Sequence, residues 1–149
     1  MTAPKALVTD PTAIAVRHLA ADDAPSLQSL ARVFADAFED WETYGSKPSS
    51  LAYLRRLLGR DHFIALVAVE NDVVVGGLVA YELTKFEQER SEIYIYDLAV
   101  AEPHRRRGIA TALIEELGRI ATARGAWVIY VQADLGDDPA IALYGKLGT

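Results

Sequence analysis

The stretch His104-Arg105-Arg106-Arg107-Gly108-Ile109-Ala110-Thr111 stands between an alternating, β-rich run, Ile93 to Val100, and a long amphipathic run, Ile109 to Arg124. The order is strand, tight basic turn, helix. The first turn of a helix carries unpaired N–H groups and the positive end of the helix dipole. Phosphate groups bind there. Gly108 has no Cβ, so an anion can approach the backbone closely. Arg105, Arg106 and Arg107 add forked donors matched to phosphate oxygens, and Thr111 a hydroxyl. Arginines at a helix start oppose the dipole, so stability alone does not favour them there. The stretch therefore predicts a bound anion. A solvated arginine cluster is the plainer alternative. The stretch is neither a P-loop nor a three-glycine dinucleotide fingerprint.

Outward from this turn, the flanking runs predict an α/β fold. Glu92 to Val100 reads as the central strand. Ile109, Ala110, Leu113, Ile114, Leu117, Ile120 and Ala121 form one apolar stripe, so the following helix packs on a sheet, and Gly125 ends it. Ala126 to Ala133 reads as another strand. Asp138-Pro139 then opens a short last helix that ends at Gly148.

Upstream, Ala13 to Leu19 reads as a first strand. Asp22 and Asp23 before Ala24-Pro25 predict a helix cap, and Leu27, Leu30, Phe34, Ala37 and Phe38 follow at helical spacing. Glu39 to Ser46 reads as a loop rich in carboxylates and aromatic rings. Pro48 is expected to open a second helix, with Leu51, Leu54, Leu57 and Leu58 inward and Gly59 as its stop. His62 to Glu70 and Val73 to Thr84 read as strands joined by a hairpin turn at Asn71-Asp72. Both strands are almost wholly apolar, so both faces should be covered. Gly76-Gly77 suggests a bulge or a close backbone approach.

The 149 residues suggest one domain, residues 1 to 149, large enough to bury a core without a metal or disulfide staple. With no cysteine, disulfides, thiolate metal sites and a cysteine acyl-enzyme are excluded. No apolar run approaches the ~20 residues of a membrane helix, and no secretory signal is expected from the Pro4, Asp10 and Pro11 of the first residues. The expected compartment is the cytoplasm. The net charge of −6 argues against a nucleic-acid partner and suits a cationic small substrate. His18, His62 and His104 lack metal-ligand spacing, so no metal is expected.

Arg105-x-x-Gly108-x-Ala110 resembles the pyrophosphate-binding signature of the GNAT superfamily of N-acetyltransferases. Glu92 to Val100, the arginine turn, Val128 to Asp134 and Gly136 to Gly148 together resemble the aminoglycoside 3-N-acetyltransferases of that superfamily. The close match runs over roughly residues 60 to 148. The resemblance implies a mixed, twisted sheet with helices on both faces. It implies acetyl-coenzyme A as co-substrate, held by Arg105, Arg106, Arg107, Gly108, Ile109, Ala110 and Thr111, by the backbone of Leu98, Ala99 and Val100, and near Asp137. A strand bulge that opens a slot for the pantetheine arm comes from the family alone.

Tyr144 matches the family tyrosine that protonates the departing thiolate. Phenol and thiol pKa values near ~10 and ~8.5 make that transfer feasible. Asp97 is the first candidate to take a proton from the acceptor ammonium, and Glu92 the second. Glu92, Asp134, Asp138 and Glu42 are the candidate substrate carboxylates. Structural readings stand beside these: Asp138 as a helix cap, Tyr144 as a buried aromatic, Asp97 as a polar strand residue.

Family members continue past the last helix with two more strands, so those C-terminal strands are expected to be missing after Thr149. A homodimer is compatible with the family. The resemblance implies acetyl transfer to the 3-amino group of a gentamicin-type aminoglycoside, by direct attack in a ternary complex, with antibiotic resistance as its role. The alternatives are a GNAT enzyme for a polyamine, amino acid or protein amine, and an acyl-coenzyme A binding module without turnover.

Overall fold

The computed structural model describes residues 13–131. They form one five-stranded mixed sheet: β1 (Ala15–His18), β2 (Phe63–Glu70), β3 (Val73–Thr84), β4 (Ser91–Val100) and β5 (Val128–Val131), in that spatial order. The first four strands pair antiparallel, and β5 lies parallel to β4. The helices are α1 (Ala24–Ala37), α2 (Trp41–Tyr44), α3 (Leu51–Leu58) and α4 (Ile109–Arg124).

Both faces of the sheet are covered, as the apolar runs predict. Ile64, Leu66, Ile93 and Ile95 pack on one face against Ile109, Leu113 and Leu117 of α4. Phe63, Ala65, Val67 and Val79 pack on the other against Leu27, Leu30 and Phe34 of α1 and Leu54 and Leu58 of α3. Strict alternation along β2 sends its side chains to the two cores in turn. The β2–β3 turn uses Asn71 and Asp72 at φ 52° and 63°, the left-handed pair that matches strand twist in a two-residue hairpin.

Gly77 is the close approach expected of the glycine pair. A Cβ there would lie 2.5 Å from the Leu66 carbonyl oxygen and 2.6 Å from Leu30 Cδ1, so α1 can settle on the sheet only over a glycine. The β2–β3 register also shifts beside Gly76.

Several local expectations need correction. Residues 39–46 are not simply a loop. Asp40 caps the short helix α2 by accepting from Thr43 N–H at 3.1 Å, and Trp41 Nε1–H donates to Asp36 at 3.1 Å. Ser50, not Pro48, opens α3, with its hydroxyl accepting from Tyr53 N–H at 3.1 Å. Leu51 is 38% exposed rather than inward, since it sits in the first turn ahead of the Leu54–Leu58 stripe. Gly59 ends α3 in right-handed geometry, φ −81°, so its lack of a Cβ is not required there. Asp23 does not cap α1 with its side chain; its carboxylate turns back to Ala20 N–H and Arg17.

Candidate active site

β4 is the element on which the site is built. Its pairing with β3 shifts register between Val79 and Ala80: Val79 faces Asp97 while Ala80 faces Ile95, which leaves Tyr96 as the extra residue. This is a bulge in the central strand. It puts Tyr96 outward, 56% exposed, and turns Asp97 toward α1 and α2.

Past the bulge the strand regains regular pairing, Leu78 with Leu98, Gly77 with Ala99 and Gly76 with Val100. Ala101 N–H donates to Val75 O at 2.8 Å. In an antiparallel ladder bonded and non-bonded pairs alternate. Counting back from Ala101, Ala99 bonds to β3, while the N–H and C=O groups of Leu98 and Val100 face the other way. The described part of β5 pairs with β4 no further than Ile95, opposite Val131. Leu98 and Val100 therefore present backbone groups at an edge beyond that pairing. Arg105 Nε–H already uses this direction, donating to Val100 O at 2.8 Å.

The chain then makes a single 3-10 turn, Glu102–His104, and enters the arginine turn. Arg106 has φ 66° and Gly108, the residue before α4, has φ 78°. The first helical hydrogen bond is Ala112 N–H to Gly108 O, 3.0 Å, so the N–H groups of Ile109, Ala110 and Thr111 precede it. A Cβ built on Gly108 meets no atom within 4 Å. A cavity of about 240 Å³ lies here, lined by Val100, Arg105, Arg106, Gly108, Ala110 and Thr111 among others. A helix N-terminus, an open glycine and exposed guanidinium groups suit a pyrophosphate.

The three arginines are not equivalent. Arg107 is engaged by Glu70 at the end of β2, with Nη1–Oε1 at 3.2 Å and Nη2–Oε2 at 2.8 Å. The hydrogen bond from Arg107 to Glu70 holds the guanidinium pKa above its ordinary value. His104 Nδ1 lies 3.2 Å from the same Glu70 carboxylate. Arg105 braces Val100. Arg106 is exposed on the turn.

On the α1 side of β4, Asp97 lines a cavity of about 270 Å³ with Tyr44, Tyr81, Phe34, Trp41 and Lys47 among its walls. Tyr44 donates its hydroxyl hydrogen bond to Asp97 Oδ1 at 3.0 Å. Burial pushes the Asp97 carboxyl above its ordinary range, and the Tyr44 bond opposes that rise. Burial, then the bond to Asp97, raises the Tyr44 hydroxyl well above an ordinary phenol. A carboxylate whose pKa is drawn toward neutrality is a better general base near pH 7.

The structure does not bring Glu92 to this cavity. Glu92 lies near the start of β4, five residues or roughly 15 Å along the strand from Asp97. Its carboxylate accepts from Arg90 at 3.0 and 3.1 Å, and Lys85 stands 3.9 Å away. The same Arg90 lies 3.5 Å above the Trp127 ring. Glu42 is exposed on α2, between Trp41 and Thr43 of the cavity wall. Tyr144, Asp134, Asp137, Asp138 and the expected last helix lie outside the described residues.

The contacts of Tyr44 with Asp97 and of Glu70 with Arg107 are not visible in the sequence. Tyr44 was legible only as an aromatic of a loop. Glu70 gave no signal, because its partners lie in a segment distant in the chain. Among the described residues no group of three or more His, Cys, Asp or Glu is arranged to hold a metal ion, and no helix is long and apolar enough to cross a membrane.

Among the described residues, a bulged central strand with a parallel neighbour runs through a basic turn into a helix start suited to an anion. Residues 27–149 match the Acetyltransferase (GNAT) family, and the chain belongs to it. A crystal structure of an aminoglycoside acetyltransferase from an uncultured soil metagenomic sample is 58% identical, covers 93% of this chain and 92% of that one, and superposes with a TM-score of 0.83. A second soil metagenomic aminoglycoside acetyltransferase, solved in complex with sisomicin, is 33% identical over 87% of this chain and 84% of that one, with a TM-score of 0.77. The probable N-acetyltransferase san of Drosophila melanogaster is 33% identical over 86 residues, 57% of this chain. The match spans 46% of that relative, under half its length.

Proposed function

We propose that the chain transfers an acetyl group from acetyl-coenzyme A to an aminoglycoside, at the 3-amino group of a gentamicin-type acceptor, in a ternary complex in the cytoplasm, and so confers antibiotic resistance. The observation that carries this reading is the position of Asp97. It stands in a cavity one residue before the part of β4 that lies beyond its described pairing with β5 and runs into the arginine turn. The 58% identical soil aminoglycoside acetyltransferase supports the substrate class, as does the sisomicin complex of the second relative.

Acetyl-coenzyme A, when bound, supplies the activated acetyl group. The chain's own residues supply the rest. Arg105, Arg106 and the N–H groups of Ile109, Ala110 and Thr111 hold the pyrophosphate, with Gly108 allowing close approach. The Leu98 and Val100 backbone receives the pantetheine arm as it would a neighbouring strand. Asp97 takes a proton from the acceptor ammonium, directly or through water, and attracts the cation. The freed amine nitrogen bonds to the acyl carbon as the carbon–sulfur bond breaks. In this reading the Leu98 N–H stabilises the negative charge that builds on the acyl oxygen. Tyr144 gives its phenolic proton to the departing thiolate, and the second proton of the acylated nitrogen passes through water to the Tyr144 phenolate. Exposed Glu42, with Asp134 and Asp138, adds negative charge for a polycationic sugar, and a homodimer accords with the family.

The test is product identity. The chain is incubated with acetyl-coenzyme A and gentamicin, and the product is assigned by NMR. Acetylation of the 3-amino group is the expected result. Acetylation of another amine would discard the regiochemistry, and product from a polyamine alone would discard the substrate class.

A further inference from the structure

Asp97 is held from across the fold. Its partner Tyr44 lies 53 residues earlier, on the four-residue helix α2. The Tyr44 ring is fixed independently of its hydroxyl. It stands edge-on to Phe34 at 5.8 Å and tilted against Phe38 at 5.6 Å, and those two rings stack on each other at 5.4 Å. The Asp40 cap and the Trp41–Asp36 bond pin the rest of α2 to α1. Ring packing therefore already holds the segment, and the hydroxyl is left to act on the carboxylate.

We propose that Tyr44 is a positioning residue of the acceptor site: its phenol fixes Asp97 Oδ1 and leaves the second carboxylate oxygen for the incoming amine. This rests on the reading of Asp97 as the base that accepts the acceptor proton. The phenol selects one rotamer of the carboxylate and stabilises its ionised form against burial. It also makes α2 a wall whose distance from the acetyl-transfer point is set by a hydrogen bond. The charged and titratable groups around Asp97 are Tyr44 with nearby Asp40, Arg32 of α1, Lys47 before α3, Tyr81 of β3 and Tyr96 of β4 itself.

The test is the pH dependence of kcat/KM for the aminoglycoside, with acetyl-coenzyme A saturating, in the parent and in Tyr44→Phe. The phenylalanine keeps the ring contacts and removes the donor. Losing a donor to the ionised form raises the pKa of the base. The ascending acidic limb should move up by about one pH unit, the worth of one hydrogen bond to a charged group. The KM for acetyl-coenzyme A should stay unchanged. A limb that does not move, whatever the loss of rate, would overturn the proposal and leave Tyr44 a packing residue. Replacing Tyr44 by 3-fluorotyrosine gives an independent arm: its stronger donor should move the limb down, and no movement would contradict the proposal. Asp97→Asn separates the two readings. Loss of the limb with Asp97→Asn but no shift with Tyr44→Phe rejects only the role of Tyr44. A limb that persists in Asp97→Asn rejects Asp97 as the base, and the Tyr44 role with it.

Discussion

Arg107 grips Glu70 with two hydrogen bonds, at 2.8 and 3.2 Å, and so ties the arginine turn to the far end of β2. One of three adjacent guanidinium groups is thereby a brace for the loop. Arg107→Ala or Glu70→Gln should loosen the turn without removing a phosphate donor. The KM for acetyl-coenzyme A should rise several-fold, with kcat changing less. Steady-state kinetics at saturating acceptor checks this; an equal loss in kcat would place the pair in the chemical step.

Arg106, exposed on the turn, is expected to reach the phosphate. Arg106→Ala should weaken acetyl-coenzyme A binding about tenfold or more, the worth of a hydrogen bond to a charged group. Isothermal titration with the cofactor measures it directly. Thermal stability of the unliganded protein should change little, because the side chain removed is exposed and alanine keeps the Cβ that already stands at positive φ.

Gly77 sits beneath α1 with a backbone oxygen 2.5 Å from where a Cβ would stand. A carbonyl in a sheet cannot rotate away as a side chain does. Gly77→Ala should therefore cost about 1–3 kcal/mol by overpacking, read in a denaturant melt. Gly108→Ala makes the contrasting case. Its Cβ meets nothing, so the expected cost is the left-handed backbone alone, about 1–2 kcal/mol, and on the proposed reading of the turn cofactor affinity should drop as well.

These contrasts show what the sequence makes legible. The helix stripe from Ile109 to Ala121, the Asn71-Asp72 hairpin and the Gly108 helix start are local patterns with a fixed period or spacing, and each appears where the pattern puts it. The bulge at Tyr96 is invisible beforehand, because nothing in Tyr94-Ile95-Tyr96-Asp97 marks which residue the partner strand will skip. Helix α2 is too short for periodicity and exists through its Asp40 cap and ring contacts. Partners such as Tyr44 with Asp97, or Glu70 with Arg107, meet only after the sheet forms. The roles of adjacent arginines separate for the same reason.

The burial of Asp97 carries a stability cost. Burial raises its folded pKa, so the protonated form is favoured, and stability is lost as pH rises through that folded value. Asp97→Asn keeps an oxygen for the Tyr44 hydroxyl and removes the buried charge. At pH 7 its melting temperature should exceed the parent's, with the difference shrinking as pH falls toward 4, while turnover is lost. A variant less stable than the parent at pH 7 would contradict this.

Glu82 works in the opposite sense. Burial raises its pKa, but hydrogen bonds from Ser91 and Arg124 outweigh that and lower it below the ordinary 4.5. Arg124, in the last turn of α4, reaches Glu82 at 2.7 Å and Asp61 O at 2.6 Å. Stability from this pair is present above pH 4.5 and is lost as pH falls through the lower folded value. Arg124→Ala should flatten the acid side of the stability curve; an unchanged slope would mean the pair contributes nothing.

The decisive measurement is thiol release from acetyl-coenzyme A with gentamicin, set against a polyamine and a peptide amine under the same conditions. Fast turnover with gentamicin and background rates with the other two is the predicted result. Turnover only with the other amines, or cofactor binding with no thiol release from any acceptor, would contradict it.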